Sequence, residues 1–510
     1  MLKRSRALAS VALVALVIGG VSAPASAETL QEAIALAYRT NPTLLAQRAN
    51  QRALDESVVQ ARAGLRPTVD ASLGVNYAWS RVQGGQQIDT DGDGVPDEIA
   101  RTGTTDSDGA TASVSLGQNI WTAGRTTHAI TAAEANILSG RENLREIEQQ
   151  VMTSVVQAYA DVVRDMEILR IRQENLAVLR RQLDESNARF EVGEITRTDV
   201  AQSEARLAQS EADLANAQAQ LSTSRAAYAA VVGQAPANMA AMPTLPGLPA
   251  DFDGALDVAL AENPGVLAAG YALQAAEANV AAARSEYLPS ARLSASYGGN
   301  ANDLSSFDLG DRTSFNAGAT LSVPLFTGGL NRSRVAQALE RANAAQISVE
   351  GERRTVLQNV SSAYAQTVSA RSTLQAGEEA VRAASVAAEG VRQEAQVGLR
   401  TTLDVLNQEL ELRSAQVTLA SARRNEYVSQ AQLLAAMGRL GGPNLDPTLE
   451  AYDAEANYRA VRNRGALPWD GAIEALDRVA APGVQPAADM EDAPVDQQLK
   501  GEIVRTAPQN

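Results

Sequence analysis

The nine residues VGEITRTDV at 192–200 recur as VGLRTTLDV at 397–405, 205 positions later. This offset continues without a gap in the flanking sequence, whereas the earlier pair Pro42 and Pro264 is separated by 222 positions. The difference of 17 residues is extra sequence in the first copy. Because long self-similar segments fold as equivalent units, the sequence predicts one structural unit built twice.

The two copies occupy residues 28–235 and 251–440, and the Pro-rich linker 236–250 joins them. Residues 441–510 form a C-terminal tail, which is rich in proline, alanine and acidic residues beyond about 482 and is predicted to be disordered there. Each copy is read as a helix, a strand, a loop, a second strand, a very long helix, a turn and a returning helix. This order predicts an α+β protein with an internal duplication.

Residues 1–27 have the order of a secretory signal peptide. Three basic residues are followed by an apolar run, and small residues precede Glu28, where cleavage is expected. An uncleaved anchor is the alternative, but the apolar run is short for a membrane span. The signal excludes a cytoplasmic enzyme and leaves the periplasm, the outer membrane or the medium as the destination.

The composition excludes several classes of protein. The chain has no cysteine, and therefore no disulfide, no thiolate metal site and no lipid-bearing cysteine. Its net charge of −16 argues against a nucleic-acid partner. The single histidine, His128, is expected on the surface near the start of a helix, and no nucleophile elbow or phosphate loop is present. We therefore predict a protein that is not an enzyme and has no catalytic cofactor.

Apolar and polar residues alternate from Val69 to Trp79 and again from Phe315 to Leu325, with shorter alternating partners around Val114 and Leu293. Strands of about ten residues with one apolar face have the length that crosses lipid in a β-barrel. A soluble sheet with one buried face is the alternative. No mature segment reaches ~18 consecutive apolar residues, so no membrane-spanning helix is predicted.

Aromatic side chains mark both ends of these strands. Tyr77 and Trp79 end the first strand, while Trp121 and Phe326 end the returning strands. Rings at both ends suit the two membrane interfaces and favour the barrel. Four strands are too few to close a barrel, and open edges are unstable in lipid. Several chains are therefore predicted to pool their strands in an oligomer.

The helices are predicted to be unusually long. No proline occurs between residues 97 and 235, so an unbroken helix from Gly124 to Val192 would measure ~100 Å. Apolar residues recur every seven positions from Val155 to Phe190, which is the spacing of a coiled-coil seam. Such a spacing indicates helix packing and no ligand site.

These features resemble the TolC family of outer-membrane efflux and type I secretion channels. The resemblance is carried by RFEVG at 189–193 with TDV at 198–200, by SVPLFTGG at 322–329 and by VGLRTTLDVL at 397–406, and it extends over about 28–440. It implies a homotrimer that pools its strands in a twelve-strand barrel and continues as a periplasmic α-helical coiled-coil tunnel. It also implies docking to an inner-membrane ABC or RND pump through a periplasmic adaptor, or membrane fusion, protein.

The resemblance implies that the adaptor docks at two equivalent turns. Gly193 and Gly398 lie at these turns, each between a long helix and its returning partner. Glycine suits a reversal of the chain that needs positive φ, so a role in the turn alone is the alternative to docking.

The resemblance also implies that the periplasmic entrance is lined just after the second turn. Asp404 matches the first of two acidic positions, and Asn407 stands where the second acid is expected. Arg400 is expected to pair with Asp404 or to tie to a neighbouring helix. Asp199, the repeat equivalent of Asp404, is expected to act as a constraint between helix pairs. The alternative for Asp404 is a first-turn acid that the helix dipole favours.

The extra sequence of the first copy contains an acidic loop between its two strands. Asp89, Asp91 and Asp93 occupy the first, third and fifth positions and a glycine the sixth, as in a calcium-binding loop. Ala100 stands in place of the usual bidentate glutamate. Asp97 or Glu98 is the candidate substitute for that ligand. The loop is expected on the extracellular side, where calcium is plentiful. A solvated acidic turn is the alternative.

The sequence does not identify the cargo, the pump or the adaptor. It predicts a channel-tunnel in the outer membrane that exports substrates received from the inner-membrane pump. The outer component of a type I protein secretion system is preferred over the alternative, the outer component of a multidrug efflux pump. The preference rests on a tail pattern that resembles secretion channels, formed by Tyr452, Asn457, Tyr458, Arg462, Gly465, Pro468 and Trp469.

Overall fold

The computed structural model of the chain describes residues 28–82, 87–88, 98–99, 103–301 and 312–486. The predicted signal peptide, the four aspartates of the acidic loop and the last part of the tail lie outside these ranges. Within them the predicted duplication is confirmed, because two series of helices and strands follow one another in the same order.

The first repeat contains, in chain order, α1 (Leu30–Thr40), α2 (Pro42–Ala63), β1 (Thr68–Val82), β2 (Gln87–Ile88), β3 (Glu98–Ile99), β4 (Gly103–Trp121), α3 (Arg125–Glu191) and α4 (Arg197–Val232). The second repeat contains α5 (Phe252–Glu262), α6 (Pro264–Ser285), β5 (Ser290–Ala301), β6 (Arg312–Ser322), α7 (Leu330–Gln396) and α8 (Thr402–Ala436). The tail adds α9 (Gly442–Leu445), α10 (Ala454–Val461) and α11 (Asp470–Asp477).

Each repeat begins with two consecutive helices, where the sequence reading expects one. Asn41 and Asn263 separate them, and each asparagine side chain caps the N-terminus of the second helix. A proline follows each asparagine and disfavours helical backbone at the residue before it, so the first helix ends there. The side-chain amides also donate to the ends of the returning helices, Asn41 to Val231 and Asn263 to Ala436.

The four long strands form one antiparallel sheet in the order β1-β4-β5-β6. The prediction that β4 is a short partner is wrong, because β4 has 19 residues and pairs with β1 along the whole of β1. Its first half is rich in threonine, serine and glycine and lacks apolar alternation, so pairing with β1 defines it as a strand. β6 ends at Ser322, before Pro324, which has no N–H for the strand ladder.

The apolar face of the sheet is not covered by the other described residues of the chain. Val69, Leu73 and Val75 of β1 are 65%, 67% and 60% exposed, and Phe315 of β6 is 69% exposed. A soluble sheet with one buried face would cover these side chains, so the structure argues against that alternative. β1 and β6 are the two edges of the sheet, and each has only one strand neighbour among the described residues.

The long helices are confirmed. α3 and α7 each contain 67 residues, so each measures about 100 Å at ~1.5 Å per residue. α3 packs lengthwise against α4, and α7 against α8. The heptad residues Val155, Val162 and Leu176 of α3 are buried, as a coiled-coil seam requires. None of the described helices combines the length and apolar character of a membrane span.

The tail packs against the first repeat. The guanidinium of Arg48 lies 4.7 Å from the centre of the Tyr452 ring, a favourable cation–π contact. The side-chain amide of Asn457 donates to Asp55 at 2.8 Å. Two residues of the pattern that resembles secretion channels therefore hold the tail in place, which gives the pattern a structural role.

Asp477 fixes the end of the tail to the start of α3. It is fully buried and accepts hydrogen bonds from the backbone N–H and hydroxyl groups of Thr122 and Thr127, at 2.5–3.2 Å. The carboxylate thus caps α3, whose own N-cap residue offers no side chain. His128 lies beside it and is buried, so the expectation of a surface histidine is wrong: the tail as far as Pro482 covers the ring, and burial lowers its pKa.

Candidate functional site at the helix turns

The turns that join α3 to α4 and α7 to α8 have the same geometry. Gly193 and Gly398 adopt φ values of +79° and +80°, which confirms the predicted need for positive φ. Their backbone N–H groups donate to Phe190 and Ala395, so each glycine closes the last turn of a long helix. An added Cβ at either glycine would meet no atom within 4 Å. Space is therefore available at both positions, and only the backbone conformation demands glycine.

The two turns expose apolar side chains. Val192, Val397 and Leu399 are 78%, 71% and 75% exposed. Together with Gly193 and Gly398 they form what we call the tip surface. Three large apolar side chains are therefore exposed together at the end of the molecule farthest from the sheet.

Asp199 and Asp404 occupy equivalent positions after the turns, and each completes a capping box. Asp404 accepts hydrogen bonds from the backbone N–H and the hydroxyl of Thr401 at 3.0 and 2.9 Å. Asp199 accepts the equivalent two hydrogen bonds, from the backbone N–H and the hydroxyl of Thr196, at 2.9 and 2.8 Å. These bonds favour the ionised carboxylate and hold the pKa of both aspartates below its usual value. Both aspartates are therefore charged at neutral pH.

The expectation that Asp199 acts as a constraint between helix pairs stays a prediction. Among the described residues, the side-chain hydrogen bonds of Asp199 lie within its own capping box. A tie between the helix pairs comes from Arg206, whose guanidinium on α4 donates to the side-chain oxygen of Asn407 on α8 at 3.1 Å. Sequence reasoning missed Arg206, although its position seven residues after Asp199 places both on one face of a coiled-coil helix.

Of the two contacts expected for Arg400, the described protomer forms a tie to the neighbouring helix α7. Its Nε donates to Glu394 near the end of α7 at 2.7 Å, and this ion pair raises the pKa of Arg400. Arg400 and Asp404 are not hydrogen-bonded to each other. The Asp404 carboxylate binds Thr401, and the Arg400 side chain extends back across the turn to α7. Arg400 still attracts Asp404 electrostatically and contributes to its lowered pKa.

Further from the turns, ion pairs join α8 to α3. Arg424 binds the carboxylate of Asp161 at 2.9 Å, and Arg413 approaches Glu174 at 3.8 Å. Along α8, Arg206–Asn407 is thus the contact nearest the turn, followed by Arg413–Glu174 and Arg424–Asp161. Polar contacts therefore join the two repeats along α8, from near the turn to Arg424.

The aromatic residues lie at opposite ends of the sheet. Tyr77 and Trp79 stand opposite Asp108 and Asp106, near the loop end of β1 and β4. Trp121 and Phe326 lie at the helix end. Phe326 is almost fully exposed, whereas the indole N–H of Trp121 donates to the carbonyl of Val479 in the tail.

Among the described residues, no group of three or more acidic or histidine side chains is arranged to hold a metal ion. The acids of the calcium-like loop lie outside the described part of the chain, between the short strands β2 and β3. They are Asp89, Asp91, Asp93 and Asp97.

Comparison with known proteins identifies the family. Residues 33–234 and 255–439 match the profile of the family described as outer membrane efflux protein. The two matched segments correspond to the two repeats of the structure and make up more than half of the chain.

Several relatives match over most of the chain. The outer membrane efflux protein BepC of Brucella suis biovar 1 is 34% identical over 440 residues, which cover 86% of this chain and 92% of BepC. The outer membrane protein TolC of Vibrio cholerae serotype O1 is 29% identical over 431 residues, covering 83% and 93%. The alkaline protease secretion protein AprF of Pseudomonas aeruginosa is 26% identical over 343 residues, covering 66% and 71%.

A crystal structure of a membrane protein from Pseudomonas aeruginosa has the same fold. It aligns with a TM-score of 0.69 at 20% identity, over 83% of this chain and 92% of that chain. The predicted α+β fold, the resemblance to TolC, the outer-membrane location and the absence of enzymatic activity are confirmed by these matches together. The chain therefore belongs to the outer membrane efflux protein family, whose members are channels of the outer membrane.

Proposed function

We propose that three copies of the chain form an export channel that crosses the outer membrane and continues into the periplasm as a helical tunnel. The exposed apolar face of the sheet is the observation that carries this proposal. In lipid, the edges of β1 and β6 that have no strand neighbour among the described residues require partners, and β1 of one protomer offers an edge to β6 of the next. Three sheets of four strands then close one barrel of twelve.

The tip surface is the proposed docking site of a periplasmic adaptor protein. Its exposed valines and leucine lie about 100 Å of helix away from the sheet, where an adaptor held by an inner-membrane pump can reach them. Replacing Val192 and Leu399 by serine is expected to abolish export while the protein level stays normal. Val386→Ser, at a similarly exposed valine of α7 outside the tip surface, is the matched control.

We infer that the turn between α7 and α8 forms the periplasmic gate. Threefold symmetry would bring three copies of Asp404 into a ring, and their capping-box hydrogen bonds keep the ring charged. Such a ring attracts cations to the entrance. Asn407 adds no second charge, and its side-chain oxygen is engaged by Arg206.

Opening of this gate requires α8 to move away from α4. The Arg206–Asn407 hydrogen bond connects these helices near the turn, so it opposes that movement. The ion pair of Arg424 with Asp161 is further from the turn and is expected to stay intact. The two helix pairs would then separate at the tip and remain joined nearer the sheet.

For the cargo, we propose that the channel is the outer component of a type I protein secretion system with an ABC pump. The tail pattern and the similarity to the alkaline protease secretion protein AprF support this assignment. The alternative is the outer component of a multidrug efflux system with an RND pump. The higher identity to the efflux protein BepC supports that alternative.

Deletion of the gene, followed by analysis of both the secreted proteins and the drug susceptibility, tests these assignments. Loss of a secreted protein with unchanged susceptibility is expected for a secretion channel. Increased susceptibility with unchanged secretion would assign the channel to efflux. If neither changed, and the chain were present at normal levels in the parent strain, the proposed export function would be wrong.

A further inference from the structure

Two opposite charges stand on the polar face of the sheet, near its helix end. Asp70 of β1 and Arg292 of β5 each alternate with the apolar residues of their strand and therefore point to the opposite face. Their cross-strand neighbours are small and uncharged, Ser115 beside Asp70 and Thr320 beside Arg292. In the proposed channel, on which this inference rests, the apolar face meets lipid, so this polar face lines the pore.

Asp70 and Arg292 occupy equivalent positions of the two repeats. Each is the third residue after the proline that precedes its strand. Ser115 of β4 pairs with Asp70 on one side and, on the other, with Ser296, which follows Arg292 by four residues. A barrel requires such a stagger of the register, because its strands are tilted. The stagger therefore places the two charges at one level of the barrel.

A glycine makes room for the Arg292 side chain. A Cβ on Gly117 of β4 would collide with a guanidinium nitrogen of Arg292. Gly117 pairs with Thr68 on its far side, so the guanidinium lies over β4, in the direction of β1. Any side chain at position 117 would have to displace it.

Both charges face solvent without a partner in the described part of the protomer. Asp70 and Arg292 are exposed, and among the described residues neither has an ion pair or a side-chain hydrogen bond. A charge that no neighbouring group neutralises acts on the ions that pass it, over roughly the ~10 Å Debye length of 0.1 M salt. In a pore, such charges determine selectivity.

We propose that Asp70 and Arg292 form a ring of alternating charge that keeps the mouth of the barrel open to cations and anions alike. With the strand order β1-β4-β5-β6 in each of three protomers, a charge stands on every second strand and changes sign at each step. Three carboxylates and three guanidiniums then cancel. The barrel mouth thus differs from the proposed ring of Asp404 at the tip, which attracts cations only.

The zero-current potential across a planar bilayer, with unequal potassium chloride concentrations on its two sides, tests the ring. All channels carry Asp404→Ala, so that the tip charge does not mask the barrel. Arg292→Ser leaves three carboxylates and is expected to raise the permeability ratio of potassium to chloride about twofold or more at ~0.1 M salt. Asp70→Ser is expected to lower the ratio by a similar factor. Ser294→Ala, at an uncharged position of the same face, is the matched control.

An exchange of the two charges separates the ring from other effects of the substitutions. The combination of Asp70→Arg with Arg292→Asp keeps three charges of each sign and is expected to restore the ratio of the parent. The effects of the single variants should nearly vanish at ~1 M salt, where the Debye length is ~3 Å.

An unchanged ratio in both single variants at ~0.1 M salt would overturn the ring, as would an exchange variant as selective as either single variant. Conducting pores with such results would leave the proposed channel intact. Correctly folded protein that forms no conducting pore would contradict the channel and the ring together.

Discussion

Removal of the contact between Arg206 and Asn407 is expected to favour the open state of the gate. Arg206→Ala deletes a guanidinium that donates to the Asn407 side chain at 3.1 Å. A hydrogen bond from a charged donor contributes ~1–3 kcal/mol when buried, but both side chains reach solvent here, so about 0.5 kcal/mol per protomer is realistic. If three protomers open together, the sum of ~1.5 kcal/mol corresponds to about a tenfold shift toward the open state.

Planar-bilayer recording of the purified channel measures this shift as the open probability. Arg225→Ala is the matched control, because Arg225 lies on the same helix and has no ion pair among the described residues. Asn407→Ala should raise the open probability as Arg206→Ala does, and the double variant should add nothing further. An unchanged open probability in Arg206→Ala, or fully additive effects in the double variant, would refute the role of this contact.

Three further results are expected. Asp404→Ala should weaken block by multivalent cations applied at the periplasmic end, and Asn407→Asp should strengthen it; unchanged block in both would place the ring away from the constriction. Calorimetry at millimolar calcium should detect binding to the acidic loop 89–97, and no binding would leave a solvated turn. Burial raises the pKa of Tyr159 to about 12. The contribution of Tyr159 to the free energy of unfolding should thus be constant below pH 10 and fall as the pH rises toward 12, and Tyr159→Phe should reduce this fall in pH-dependent unfolding curves.

The duplication and the long elements were predictable because they depend on patterns within one segment. The turn glycines, the helices of about 100 Å and the alternation in β1 all follow from local backbone geometry and periodicity. β4 was harder to predict, because its first half has no apolar alternation and depends on its neighbour β1.

The contacts of the candidate site were predicted only in part, because they join distant segments. Asp404 was correctly placed in the first turn of its helix, yet the partner of Asn407 is Arg206, about 200 positions earlier in the chain. Likewise, His128 is buried by a tail more than 300 residues later. Such pairs depend on how the repeats pack, and a single sequence contains no direct signal for them.

The mass of the detergent-solubilised mature protein tests the central claim most directly. Native mass spectrometry, with the circular dichroism of the same sample as a check on the strands, is expected to give three times the mass of one chain. The exposed apolar strand faces, and the edges of β1 and β6 that have no second strand neighbour among the described residues, need partner chains in lipid, and we propose three copies. A monomer that retains the full β signal would contradict the account, because its sheet would then be stable with both edges open.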